Sequence, residues 1–316
     1  MNSKKKIYFL SILLLILITL FLIIGLNSKN WQYALSRRIP KIIAIILTGS
    51  SIAFSSMIFQ TITNNNILTP SVLGLDSLYM FFQTFIVFVF GSNNLAKIGN
   101  NFNFILSVVF MVIFSIILFK ILFKKEGTDI FFLLLLGLVC GTFFQSLSSF
   151  MQVLIDPNEF SIVQNKMFAS FNNVNTNILW LALVGIFLAI VYTYKNLNSL
   201  DVLSLGRDNA INLGVDYDGT VKKMLIVISI LVSVSTALVG PITFLGLLVV
   251  NITREFFKTY KHKYLIIGSM LVSSIALVGG QLLAERVTNF STPISVIINF
   301  AGGTYFIFLL LKESKI

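Results

Sequence analysis

The chain has 316 residues, of which only 11% are charged while 56% are hydrophobic, with 31 Phe and a mean hydropathy of +0.92. A water-soluble domain carries about 25% charged residues, so a soluble enzyme of any fold is excluded and the apolar excess requires lipid around it. The net charge of +11 does not point to nucleic acid, because the basic residues fall in ones to threes between apolar runs and form no continuous basic face. With one cysteine, Cys140, and one histidine, His262, the chain can form neither an internal disulfide nor a multi-ligand metal site, and no cofactor is expected.

A bilayer core of ~30 Å takes about 20 apolar residues in a helix, since backbone groups find no water there and must pair within the segment. Laid along the chain, that template gives ten spans: Ile7–Leu26, Arg38–Thr61, Pro70–Phe90, Phe102–Phe123, Ile130–Leu154, Asn177–Tyr194, Met224–Val239, Ile242–Phe256, Tyr264–Ala284 and Pro293–Leu311. The first follows Lys4, Lys5 and Lys6, is too long for a signal-peptide core and lacks a small-residue cleavage site, so it reads as a retained helix. Ten spans put both termini on one side, and that side holds sixteen of the 23 Lys and Arg residues, which predicts cytoplasmic termini. The expected fold is an all-α polytopic membrane protein, a single transmembrane domain over 1–316. The pattern Pro70-x-x-x-Gly74-Leu75 has an echo 171 residues on in Pro241-x-x-x-x-Gly246-Leu247, consistent with two five-helix halves of inverted topology.

Four features along these spans carry functional information. Arg37, Arg38 and Lys41 cluster on the outer side against the charge bias, joined there by Arg286; snorkelling to headgroups and docking of an acidic partner both suit them. Asp76 is the one acid within a span, where an intramembrane carboxylate is a candidate pathway group and a helix start also accommodates it. Thr142, Gln145, Ser149 and Gln152 recur at intervals of 3, 4 and 3 on one face of the fifth span and must meet protein or water rather than lipid; a conduit for a bulky polar solute is expected, with helix–helix hydrogen bonding as the alternative. The stripe Thr48, Ser51, Ser55 has small side chains only and reads as a packing seam. Between the sixth and seventh spans, residues 195–223 show helical spacing through Val202, Leu203, Leu205, Ala210, Ile211 and Leu213, broken by Gly206 and Gly214, which predicts two short amphipathic helices joined by a turn. These would lie on the membrane surface or dock a cytoplasmic partner. The segment Lys124–Asp129 is a short cytoplasmic turn, and Asp156–Asn175 carries an amphipathic piece on the outer side.

The stretch Leu205-Gly206-Arg207-Asp208-Asn209-Ala210-Ile211-Asn212-Leu213-Gly214 resembles the L-G-x-x-x-A-x-x-L-G signature of the FecCD-type permeases, the membrane subunits of bacterial ABC importers for iron–siderophores, haem and vitamin B12. Arg38-Ile39-Pro40-Lys41, Gln60, Pro70-x-x-Leu73-Gly74 and Gly240-x-Ile242-x-Phe244-x-Gly246-Leu247 with a distal Arg254 are similar to other family motifs, in the same order. The family's Pro-His before that Arg is here Val250-Asn251, and Asn64 to Tyr79 looks like the permeases for catechol-type and petrobactin- or anguibactin-like siderophores.

The resemblance implies a permease subunit of an ABC importer for ferric siderophores in the bacterial cytoplasmic membrane. It implies that Leu205, Gly206, Ala210, Leu213 and Gly214 form the coupling element for a cytoplasmic ATPase. Arg38, Lys41 and Arg286 would dock an extracellular substrate-binding lipoprotein, a second permease subunit would complete the channel, and Lys124–Asp129 would belong to a cytoplasmic gate. The chain has no G-x-x-x-x-G-K-[ST] and performs no bond chemistry of its own. Haem or vitamin B12 is the alternative cargo. An ion-coupled secondary transporter is the alternative class, which calls for paired midplane carboxylates where this chain offers Asp76.

Overall fold

The computed structural model describes residues 2–26, 31–98, 100–122, 130–172 and 174–313. Among these the chain is all helical: α1 (Ser3–Ile23), α2 (Trp31–Ile62), a 3-10 turn (Pro70–Leu73), α3 (Leu75–Ile98), α4 (Asn100–Leu122), α5 (Ile130–Leu154), α6 (Pro157–Met167), α7 (Thr176–Tyr194), α8 (Leu197–Leu203), α9 (Arg207–Asn212), α10 (Tyr217–Val239), α11 (Leu245–Phe257), α12 (His262–Arg286) and α13 (Ile294–Glu313). The segment Lys124–Asp129, expected near a gate, lies outside the described residues.

Seven of these helices, α1, α2, α4, α5, α7, α10 and α12, are long and apolar enough to cross a bilayer. Two of the ten expected spans are built differently. The third is interrupted at both ends: Gly74 takes a left-handed φ of 76° after the 3-10 turn, and Gly91 is non-helical at φ 71°, leaving a shorter apolar helix over Leu75–Gly91. The eighth becomes α11, whose 13 residues reach about 20 Å and cannot cross a ~30 Å core alone. The chain approaches it through non-helical residues 240–244, with Gly240 at φ 103°. The tenth runs as expected, in α13 over Ile294–Glu313. The second runs longer than expected, because α2 begins at Trp31 and carries Pro40 within it.

Packing sorts the helices by the size of their side chains. In α2, 78% of the apolar window is buried, against 17% in α1, so α2 is central and α1 faces outward. Central α2 is rich in small residues; Thr48, Gly49, Ser50, Ser51, Ala53, Ser55 and Ser56 are all buried, and α10 and α12 pack closely against it. The hydroxyls of Ser51 and Ser55 donate to Leu47 O and Ile52 O of the same helix, which frees their surface for packing, as a seam requires. The outward helices present large apolar side chains instead, such as Leu138 and Val139 of α5 and Phe187 and Leu188 of α7.

The break at Gly74 is held by backbone-to-backbone contact. A Cβ at Gly137 of α5 would stand 2.8 Å from Leu73 Cα and Val72 O, and a Cβ at Gly74 would stand 2.9 Å from Gly137 O. Gly137 and Gly141, four residues apart, open the groove that receives the turn. Replacing Gly137 by Leu forces those backbones apart and is expected to cost about 1–3 kcal/mol, read as a fall in melting temperature of the purified protein in detergent. Gly303→Ala, at a helical position with nothing within 4 Å of the added carbon, leaves the melting temperature unchanged.

Candidate functional site

The expected pair of short helices forms, as α8 and α9 separated by Ser204–Gly206. Gly206 has φ 92° and ψ 166°, a region closed to residues with a Cβ, and Gly214 has φ 81° after α9. These two glycines set the directions in which the chain enters and leaves α9. Leu205, Ile211 and Leu213 project outward, at 55%, 47% and 62% exposure. Ala210 lies among the predicted coupling residues, yet its side chain is fully buried, so it shapes the inner side of α9 rather than its outer surface. The apolar anchors are on α8, where Leu200 and Leu203 are fully buried against the helix bundle. Leucines this exposed, beside a charged pair between Arg207 and Asp218 at 3.3 Å, make an apolar edge with a polar rim.

At the opposite end of the bundle the three predicted basic residues lie near one another, each engaged within the chain. Arg38 Nη1 donates to Leu22 O at 2.6 Å and Phe21 O at 3.3 Å, and Arg286 Nη2 donates to Ile24 O at 2.7 Å. Both guanidinium groups therefore satisfy the last carbonyls of α1, where the helix dipole favours positive charge. Lys41 forms an ion pair with Glu285 at 2.6 Å, with the Lys41 ammonium also 3.0 Å from Asn172 Oδ1, while Gln281 donates to the same Glu285 oxygen. Arg286 remains exposed, as does Arg37, which stacks over Tyr33. Glu285 did not stand out in the sequence because only its 244-residue separation from Lys41 in the chain, closed by the α2–α12 packing, makes it a partner.

On α5, Thr142, Gln145 and Ser149 are exposed along one face, flanked by exposed Leu138, Phe143, Phe150 and Val153. Gln152 departs from the stripe: its amide turns inward to Ser148 Oγ at 3.0 Å and Thr84 Oγ1 at 3.4 Å. Asp76 lies in neither group. Its Oδ1 is 3.5 Å from Thr236 Oγ1 and its Oδ2 is buried with no protein partner, in a cavity of about 20 Å³ lined by Ser55, Ser56, Thr69, Ser71 and Thr243. The two chain breaks around Pro70 and Pro241, related only by an echo in sequence, come together at this carboxylate. Nearby, Gln60 and Asn251 both donate to Asn66 O, at 2.8 and 2.9 Å, pinning the loop that leads to the first break.

A larger cavity of about 650 Å³ opens between α3, α4, α6, α10 and α12. Its lining is rich in amides, among them Gln83, Asn103, Asn172 and Gln281, and it holds Lys166 of α6, whose ammonium meets Gln83 Oε1 at 2.5 Å. Burial pushes this ammonium down to about 8. No Asp or Glu lines the cavity among the described residues. Gln83 and Lys166 went unnoticed in the sequence because they are 83 residues apart and only the packing of α6 against α3 joins them. Among the described residues no group of three His, Cys, Asp or Glu side chains is placed to hold a metal ion.

The Lys41–Glu285 pair is largely withdrawn from water, with side chains 13% and 10% exposed. Lys41→Met strands the Glu285 carboxylate and is expected to destabilise the protein by about 3 kcal/mol or more, whereas Lys41→Met with Glu285→Gln recovers most of that loss. Thermal unfolding of the three proteins in one detergent measures both.

Comparison with other proteins agrees with this architecture. The chain is 64% identical to a petrobactin import system permease protein of Bacillus subtilis, YclO, over all of this chain and 99% of that one. It is 34% identical to the petrobactin import system permease protein FatC of Bacillus anthracis, over 92% of this chain and 82% of that one. The fold superposes on a metal-chelate type ABC transporter in an inward-facing conformation with a TM-score of 0.85, covering 98% of this chain and all of that one at 23% identity. Residues 5–312 match the FecCD transport family, whose members are membrane permeases and not enzymes. The chain belongs to the FecCD transport family.

Proposed function

We propose that the protein is the channel-forming permease subunit of an ABC importer that moves a ferric siderophore of the petrobactin type across the bacterial cytoplasmic membrane. The observation that carries this reading is the outward-facing apolar edge of α9, held between two left-handed glycines, on a chain that resembles petrobactin permeases along nearly its whole length. The whole chain acts as one permease domain, with residues 195–223 as its cytoplasmic loop. Leu205, Ile211 and Leu213 form the ridge that enters a groove of a separate ATPase, while Gly206, Ala210 and Gly214 give α9 its shape.

The rest of the arrangement follows from that polarity. Ten membrane passages in two inverted halves of five place both termini in the cytoplasm, with α11 and α3 as shortened helices beside the two breaks. A second permease subunit covers the polar face of α5, because the Gln145 amide is exposed there beside Ser149 and Thr142, whose own hydroxyl meets Leu138 O, and lipid cannot satisfy an amide. The shared space between the subunits, with Gln152 and Asp76 behind it, is the translocation pathway. At the outer end, Arg37 and Arg286 offer free surface to acidic residues of a substrate-binding lipoprotein. Arg38 and Lys41 contribute to that docking by fixing the end of α1 and the α2–α12 contact. The membrane-facing apolar surface of α1, α4 and α7 contacts lipid, and no nucleic acid takes part.

Uptake of radioiron as ferric petrobactin, ferric hydroxamate and haem by a strain lacking this gene tests the reading. Loss of ferric petrobactin uptake alone, restored by the wild-type gene, is the expected result. Leu205→Glu with Leu213→Glu puts two carboxylates into the apolar contact and is expected to weaken ATPase association at least about tenfold and abolish uptake, with the permease still in the membrane. Undiminished ferric petrobactin uptake in the deletion strain overturns the cargo, and full uptake by the double variant overturns the docking element.

A further inference from the structure

His262, the histidine of this chain, is buried where α8, α12 and α2 meet. Its backbone N–H donates to Asp201 Oδ1 of α8 at 2.8 Å, and its ring Nδ1 lies 2.6 Å from the same oxygen. On the ring's other edge Nε2 lies 2.8 Å from Thr61 Oγ1, in the last turn of α2. Thr61 Oγ1 is in turn 2.9 Å from Met57 O of its own helix. One planar ring thus links three elements that are distant in sequence, with Asp201 61 residues and Thr61 201 residues away.

The chemistry of each member fits a bridge. An imidazole carries nitrogens on opposite edges, so Nδ1–H donates to the carboxylate while Nε2 accepts the single Thr61 hydroxyl proton, which is then turned away from Met57 O; no other side chain offers a rigid donor and acceptor pair of this span. Asp201 also accepts the first-turn N–H of α12, where the positive end of the helix dipole favours its charge. A charge-assisted contact at 2.6 Å is directional and fixes rotation, whereas the apolar anchors Leu200 and Leu203 of α8 resist separation and permit sliding.

The position of the bridge decides what it does. α9 packs against α8 and α10, and α8 packs against α2 and α12, the most deeply buried helices of the bundle apart from α10. Movement imposed on α9 therefore reaches the central helices by two routes, through the chain into α10 and through α8 into α2 and α12. We propose that Asp201, His262 and Thr61 form the joint of the second route, positioning residues that make α8, α2 and α12 turn together when the ATPase moves the α8–α9 element. This rests on the reading of α9 as the docking element. Without the joint, α8 slides over α2 and α12, the ATPase still binds and still hydrolyses ATP, and the outer part of the bundle no longer follows.

The test uses the assembled transporter, this permease with its second permease subunit and ATPase, reconstituted in liposomes with the binding protein and ferric petrobactin. Three readings are taken on each variant: ATPase co-purification, ATP hydrolysis, and radioiron transported per ATP hydrolysed. His262→Ala and Thr61→Val are expected to keep the first two and to lower the third by about fivefold or more, with His262→Gln, whose amide retains a donor and an acceptor, restoring part of it. Thr61→Val removes only a hydroxyl and keeps the side-chain shape, so it answers the question if His262→Ala fails to assemble. Unchanged iron per ATP in Thr61→Val and in every assembled His262 variant, alongside loss of ATPase co-purification in Leu213→Glu, overturns the joint alone. Retained co-purification in Leu213→Glu overturns the docking reading beneath it.

Discussion

A backbone that leaves its helix inside a membrane must have its freed polar groups met by protein, and that requirement organises this molecule. The chain departs from helical geometry at Gly74 and again at Gly240, and both departures are enclosed. The first lies against Gly137 and Gly141 of α5 at backbone distance; the second lies against Phe168 and Ala169, where Ser170 N–H donates to Val239 O. Between them stands Asp76, at a cavity lined by hydroxyls from both breaks. The interruptions thus meet beside the buried helix α2 instead of facing lipid. A structure of this type concentrates its irregular, adjustable backbone at one depth and surrounds it with regular helices.

The two ends of the bundle solve different problems. At the end with Arg38, Lys41 and Arg286, basic side chains are spent on the carbonyls at the end of α1 and on Glu285, which ties α1, α2 and α12 into a rim. At the end with α8 and α9, the Arg207–Asp218 and Asp201–His262 pairs lie beside leucines that are left outward. A tied rim and an exposed apolar handle suit the importer we propose, in which one partner docks and the other pulls. The single buried histidine sits between handle and helices, so the mechanical reading of the molecule converges on a small cluster of hydrogen bonds.

Much of this was legible in the sequence, and the reasons are physical. Long apolar runs such as Ile7–Leu26 give α1 because length and hydropathy alone decide a lipid-facing helix. Gly206 and Gly214 mark α9 because their positive φ admits few other residues. The differences lie where tertiary contact overrides the run of the chain: Ile242–Phe256 has the composition of a span, yet its helix is 13 residues because the chain leaves helical geometry at Gly240, at φ 103°, and turns at residues 243–244 before α11 begins. Ala210 matched the spacing of the ridge but points inward, a distinction periodicity over six helical residues cannot make. The pairs Lys41–Glu285 and Asp201–His262 join residues far apart in the chain, so no local pattern announces them.

We propose above all that a separate ATPase grips α9 on the cytoplasmic side. This is tested most directly by placing a cysteine at Leu213 in a Cys140→Ser background and adding a short bifunctional maleimide to membranes containing the whole transporter. A covalent adduct between the permease and the ATPase subunit is the expected result. Labelling of that cysteine in intact cells by a reagent that cannot cross the membrane, with no adduct to the ATPase, would contradict it.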